Sequence, residues 1–192
     1  VILINQGLKK YGGDLAIGAF GIVNRLVFII VMIVMGLNQG MQPIAGYNFG
    51  AGQHARVIKT LKLTIIYATA VTTFGFLVGM LVPDLVVGIF TSDAELTELS
   101  VTGLRITVMF FPIIGFQMVT SNFFQSIGMA GKAIFLSLTR QMLILLPCLL
   151  VLPQFFGVAG VWYSMPVSDL LASLIALVML VCQFRKFRTS PL

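Results

Sequence analysis

Apolar runs long enough to cross a bilayer constrain this chain more than any motif does. A crossing helix needs about 20 predominantly apolar residues. Residues 15–40, 63–82, 99–127, 133–152 and 157–183 each supply such a run. Residues 1–8 read as the tail of a further helix, closed by Lys9, Lys10 and the turn Gly12-Gly13-Asp14. Residues 85–90 are too short to cross, and Thr91-Ser92-Asp93 after them is a helix N-cap signal. Pro83-Asp84 is expected to stop the second run, Gly128 with Gly131 the third, and Pro153 the fourth. No segment alternates as a strand would, so the expected class is an all-α membrane protein. Its architecture is a multi-spanning bundle of about five full transmembrane helices plus the tail of a sixth. Only 9% of the residues are charged, against roughly 25% in a soluble domain, too few to cover a water-facing surface.

The first residue is Val1, and no basic segment precedes the first apolar run. The expectation is that the chain is part of a longer product. Cys148 and Cys182 lie far apart in apolar runs and read as small buried hydrophobes, not as a disulfide or a metal pair.

Basic residues near the span ends set the expected orientation. Arg56, Lys59 and Lys62 follow the first full span, Lys132 precedes the fourth, and Arg185, Lys186 and Arg188 follow the fifth. The intervening loops carry Asp93, Glu95 and Glu98, or no charge at all. This alternation places the C-terminus, with a basic tail over residues 183–192, on the cytoplasmic side of the cell membrane. Lys9 and Lys10 dissent from it. Cytoplasmic anchoring accounts for the net charge of +6 without a nucleic-acid partner.

Polar groups stranded within spans are costly, so each is a functional candidate. Asp169 lies some 11 residues into the last run, near the midplane at ~1.5 Å per residue. Its helical face includes Trp162, Pro166, Ala172, Ser173 and Ala176. An acid with an aromatic two turns away is suited to an organic cation, through charge and cation–π contact. It is equally suited to a structural pair with an arginine. Asn24 and Arg25 sit about a third of the way into the first full span, where Arg25 either snorkels outward or partners Asp169. Arg140, beside Gln141, is placed to snorkel or to bond a helix end, and Arg105 to pair with the acids of the preceding loop. Gln117, Ser121 and Gln125 recur every four residues, beside Asn122. They serve either as interhelical hydrogen-bonding groups or as a cavity lining. Pro112 is expected to bend that helix.

Between the first two full spans the composition changes in a fixed order. Gly36-Leu37-Asn38-Gln39-Gly40-Met41-Gln42-Pro43 leads into Ile44-Ala45-Gly46-Tyr47-Asn48-Phe49 and the turn Gly50-Ala51-Gly52. Glycine at 50 and 52 permits a tight reversal, and Pro43 frees a carbonyl one turn back. This stretch resembles the end of the eighth transmembrane helix in the MATE (multidrug and toxic compound extrusion) family of efflux transporters. Ser137-Leu138-Thr139-Arg140-Gln141, followed by Pro147, is similar to the start of the family's eleventh helix. The resemblance covers essentially the whole chain and half of the family's twelve-helix architecture, so it implies the C-terminal six-helix lobe over residues 1–192, its first helix incomplete.

The resemblance implies a secondary active drug:cation antiporter, exporting organic cations and other xenobiotics in exchange for H⁺ or Na⁺ by alternating access between two lobes. The implied partners are the bilayer, the N-terminal lobe of the same transporter and small organic cations. Some members carry an acidic cation ligand in the tenth helix, but residues 101–116 here contain no Asp or Glu. Two alternatives stay open: a lipid-linked saccharide flippase of the same superfamily, and a non-transporting membrane scaffold. Side-chain catalysis is not expected, since the lone His54 completes no triad or metal site and no G-x-S-x-G, H-E-x-x-H or Walker A pattern is present. No cofactor or metal is implied beyond the coupling ion. Ten methionines and sixteen phenylalanines suit adaptable apolar walls.

Overall fold

The computed structural model describes the backbone of residues 2–189 and the side chains of residues 4–185. Lys186 and Arg188, part of the expected basic tail, carry side chains outside that range. The described residues are helical apart from short turns, and the elements are α1 (Ile2–Gly50), α2 (His54–Leu81), α3 (Pro83–Gly88), α4 (Ala94–Val108), α5 (Phe111–Ser126), α6 (Ala130–Leu138), a π-helical segment (Thr139–Leu145), α7 (Leu146–Phe156) and α8 (Val158–Thr189). Among the described residues four helical stretches are long and apolar enough to cross a membrane, and the bent pair α4–α5 makes a fifth when taken as one span. The lobe is an all-α membrane bundle with apolar residues outside as well as inside. Phe74, Leu81, Phe155 and Val178 stand exposed on its surface, where lipid replaces water.

The punctuation that divides the spans works at some positions and not at others. Gly13 breaks α1 with φ 70°, the left-handed region that glycine enters freely, so the N-terminal tail and the first full span are distinct rods. That span does not end near Gly40. Pro43 sits inside the helix, which runs on to Gly50. Gly52, at φ 72°, then stops it: its N–H donates to Phe49 O and the Gln53 N–H donates to Asn48 O, the paired bonds of a Schellman cap. Gly50 itself is helical, with open space where a Cβ would stand.

Pro83 opens the short α3, and Asp93 caps α4 by accepting from the Leu96 N–H at 2.8 Å. Pro112 divides the third span, with α4 and α5 meeting at 54°. Gly128 ends α5 at φ 77°. Pro153 does not stop the fourth span. It lies in the last turn of α7, and Gly157, at φ 58°, ends that helix. Both cysteines are free thiols, and Cys182 is exposed rather than buried.

The interior separates into two apolar layers. One gathers Leu8, Ala19, Val23, Leu104, Phe111 and Trp162 around α1, α4 and α8. The other gathers Met41, Leu61, Val119, Phe123, Leu136 and Ala176 toward the Gly52 turn. Buried polar groups include Thr72, Gln117, Ser121, Asp169 and Ser173. Their hydroxyls mostly bond backward to their own helices, as Thr72 does to Ala68 O and Ser173 to Asp169 O. That satisfies the hydroxyl without needing a neighbour.

Candidate functional site

A groove of about 900 Å³ opens between α1, the α4–α5 junction, the π segment with α7, and α8. Phe20, Val27, Phe111, Ile114, Leu149 and Met165 give it apolar walls, while Asn24, Arg140, Gln141, Ser168 and Asp169 bring the polarity. Its volume falls within the range of drug-sized ligand sites, and so does its make-up of many apolar groups and few polar ones.

Asp169 reaches the groove from the middle of α8. It lies 11 residues after Val158, about 16 Å along the helix at ~1.5 Å per residue. Its partner is Arg140, whose Nε donates to Oδ1 at 2.6 Å. The two side chains are unequally covered, 33% exposed for the arginine and 7% for the aspartate. A charge-assisted bond of this length is strong, but it uses one nitrogen of the fork, and no described group bonds Oδ2.

The pairing overturns one of the two roles expected of Arg25, that of partner to Asp169. Arg25 is exposed and makes no ion pair with Asp169. Asn24, next to it, does line the groove. The hairpin at Gly157 explains why Arg140 wins. Arg140 stands 17 residues before that turn and Asp169 stands 12 after it. The remaining axial gap of ~7 Å is within an arginine's reach. Arg140 thus neither snorkels nor bonds a helix end. Arg105 is exposed and makes no ion pair with Asp93, Glu95 or Glu98.

Trp162 is not in the groove. Its ring lies over Gly103, close enough that a Cβ there would come within 2.5 Å of it, and it tilts against Phe20 with centroids 5.9 Å apart. It fills a slot between helices and leaves no face for a cation. Gln117 is buried and lines neither the groove nor the smaller apolar hollow of about 180 Å³ beside α2. Ser121 joins α5 to α6, with its Oγ 3.2 Å from Ser137 Oγ and 3.4 Å from Ala133 O. Gln125 is exposed. On this face it is Ser121 that makes a seam with a neighbouring helix. Gln42 donates to Asn122 Oδ1 at 3.3 Å. Gly36 and Pro43 are exposed on α1, away from the groove.

Comparison with known proteins agrees with this architecture. The MatE family model matches residues 3–150. The multidrug export protein MepA of Staphylococcus haemolyticus is 26% identical over 176 residues, covering 92% of this chain and 38% of that protein. MepA of Staphylococcus aureus reaches 30% over 183 residues, with the same coverage of both chains. Among solved structures, the MATE multidrug transporter DinF-BH, in a ligand complex, superposes with a TM-score of 0.83 at 36% identity, over 97% of this chain and 42% of that one. An outward-facing MATE family transporter of the MOP superfamily gives 0.90 over 98% and 43%, and its 18% identity speaks to the fold alone. The chain spans about two fifths of the length of the relatives it matches. With the family model covering most of its residues and 97% of the chain superposing on a MATE transporter, this chain belongs to the MATE family of transporters.

Proposed function

We propose that the chain serves as the C-terminal lobe of a secondary multidrug exporter that moves lipophilic organic cations out of the cell in exchange for H⁺ or Na⁺. The observation that carries this reading is the groove: a drug-sized, mostly apolar hollow with a single carboxylate, Asp169, halfway along α8. Apolar walls accept varied hydrocarbon bodies, and the carboxylate supplies the preference for positive charge. The multidrug names of the relatives support the same reading. A flippase for phosphate-bearing lipids calls for a net cationic hollow, and here the groove's arginine is matched by its aspartate. Alternating access then needs a first lobe facing this groove, as in other transporters built from two repeats.

The test is efflux of ethidium from a pump-deficient host expressing the two-lobe protein. Asp169→Asn is expected to lower efflux at least tenfold while leaving the protein in the membrane. Unchanged efflux with Asp169→Asn refutes the reading. Collapsing the proton and sodium gradients separately identifies the coupling ion.

The same reading puts the Gly52 turn on the cytoplasmic side, because Arg56, Lys59 and Lys62 follow it. In a background lacking Cys148 and Cys182, Gln53→Cys is expected to react with impermeant thiol reagents only from the cytoplasm. Ser92→Cys is expected to react only from outside. The reverse pattern overturns the orientation.

A further inference from the structure

The acid in the groove already holds a cation, and that cation is part of the chain. Arg140 reaches it from an unusual piece of backbone. The π segment Thr139–Leu145 begins one residue before it and ends two residues before Pro147. Proline has no N–H for the carbonyl of Leu143, and its ring crowds that carbonyl. Opening the preceding turns to i→i+5 bonding relieves the clash without ending the helix. A wide turn of this kind holds about one residue more than an α turn, which swings whatever precedes it by about 100° round the axis. Thus Pro147 sets the direction in which Arg140 leaves the helix.

Three further features bear on what the pair does. The contact is single, Nε to Oδ1, with the rest of the fork unused on the aspartate. Arg140 is one-third exposed, so the guanidinium has space to move into. Asp169 and Arg140 both line the groove, so anything positive that enters meets both. A purely structural pair is better served by a two-pronged contact closed off from the groove.

We propose that Arg140 is a tethered counter-cation: it occupies Asp169 whenever no transported cation does, and a substrate binds by displacing it. This rests on the reading of Asp169 as the groove's cation acceptor. At the carboxylate one cation replaces another, while the tethered guanidinium moves aside and stays in the lobe, so the groove as a whole gains the charge of the bound cation. Arg140 then sets a threshold that an incoming cation must exceed, and it returns to the carboxylate when the cation leaves. Arg140 is a positioning and specificity-determining residue, and Pro147 acts through it.

Equilibrium binding of tetraphenylphosphonium to the purified two-lobe protein tests the proposal. Removing the competitor is expected to tighten binding, which loss of a structural contact does not do. Arg140→Gln should bind about tenfold more tightly, the equivalent of ~1.4 kcal/mol, and should turn over more slowly because the cation is no longer pushed off. Pro147→Ala, which keeps the charge but closes the wide turn, should tighten binding by a smaller factor. Arg140→Lys should fall between wild type and Arg140→Gln. Adding Asp169→Asn to Arg140→Gln should abolish the gain. If Arg140→Gln binds no more tightly than wild type while Asp169→Asn weakens binding, the tether is wrong and the acceptor reading survives. If Asp169→Asn leaves binding unchanged, both are wrong. Should Arg140→Gln fail to fold, Pro147→Ala and Arg140→Lys decide, and no tightening in either overturns the proposal.

Discussion

Trp162 and Asp169 lie seven residues apart on α8, on one face, yet they meet opposite surroundings. The tryptophan is wedged against Gly103 of α4 and Phe20 of α1, with its ring filling the space that a side chain at 103 would need. The aspartate looks across a groove, and among the described residues its carboxylate is bonded by an arginine alone. Helix periodicity puts two residues on one face, but what stands opposite is decided by other helices. Gly103 lets α4 come close at one level. At the other, the widened turn before Pro147 accompanies a hollow. The tight end fixes α8 in the lobe and the open end leaves it accessible.

The largest effect expected from this contrast is on the open side. Arg140→Gln leaves the Asp169 carboxylate buried without a partner, which costs about 3–5 kcal/mol in a closed interior. Here the arginine is one-third exposed, and solvent screening places the loss at the low end, about 3 kcal/mol. Unfolding in detergent measures it. The double variant Arg140→Gln with Asp169→Asn should recover most of the loss, because no charge is then stranded. A single variant as stable as wild type would mean the groove is wet enough for Asp169 to need no partner, and the contrast would narrow.

On the tight side a smaller effect follows. Gly103→Ala places a methyl against the Trp162 ring, and overpacking of this kind costs about 1–3 kcal/mol. The better helix propensity of alanine offsets up to about 1 kcal/mol. A net loss of about 1–2 kcal/mol is expected, with partial rescue by Trp162→Phe. If Gly103→Ala is neutral and Trp162→Phe destabilises it further, the slot is looser than the comparison requires.

How much of this was legible in the residues depends on whether the decisive partner is near in sequence. The spans, the Asp93 cap and the bend at Pro112 are local matters of apolar length, capping and a missing N–H, and all can be read from a few consecutive residues. The reach of α1 past Pro43 and of α7 through Pro153 was not legible. A proline in a helix either kinks it, breaks it or is absorbed, and the neighbouring helices choose. The groove was visible only as one stranded acid. Its arginine had to be picked from several, and the sequence offered Arg25 for the pairing only as one of two roles. The hairpin at Gly157 was the better guide, because it sets α7 beside α8 and brings Arg140 within an arginine's length of Asp169. Trp162 was misplaced for the same reason in reverse: its own helix gave no hint of Gly103, some sixty residues earlier.

The contrast between a residue's type and its surroundings recurs at a smaller scale in the turn after α1, where two glycines stand two residues apart. Gly52 has φ 72° and closes the helix through the Phe49 and Asn48 carbonyls. Gly50 is helical and faces open space. Alanine at 52 must adopt the left-handed region with a Cβ, so Gly52→Ala is expected to cost about 1 kcal/mol. Alanine at 50 meets no atom and gains helix propensity, so Gly50→Ala should stay within about 0.5 kcal/mol of wild type. Thermal unfolding of the two variants side by side separates them. Equal losses would show that both positions need glycine's freedom, and that the cap extends further back into α1 than the Schellman bonds indicate. No loss at either would show that the amides around the turn (Asn48 Nδ2 already donates to Ile44 O at 2.8 Å) hold the reversal without help from Gly52. Only a loss confined to position 52 is consistent with a single left-handed residue ending the long first helix.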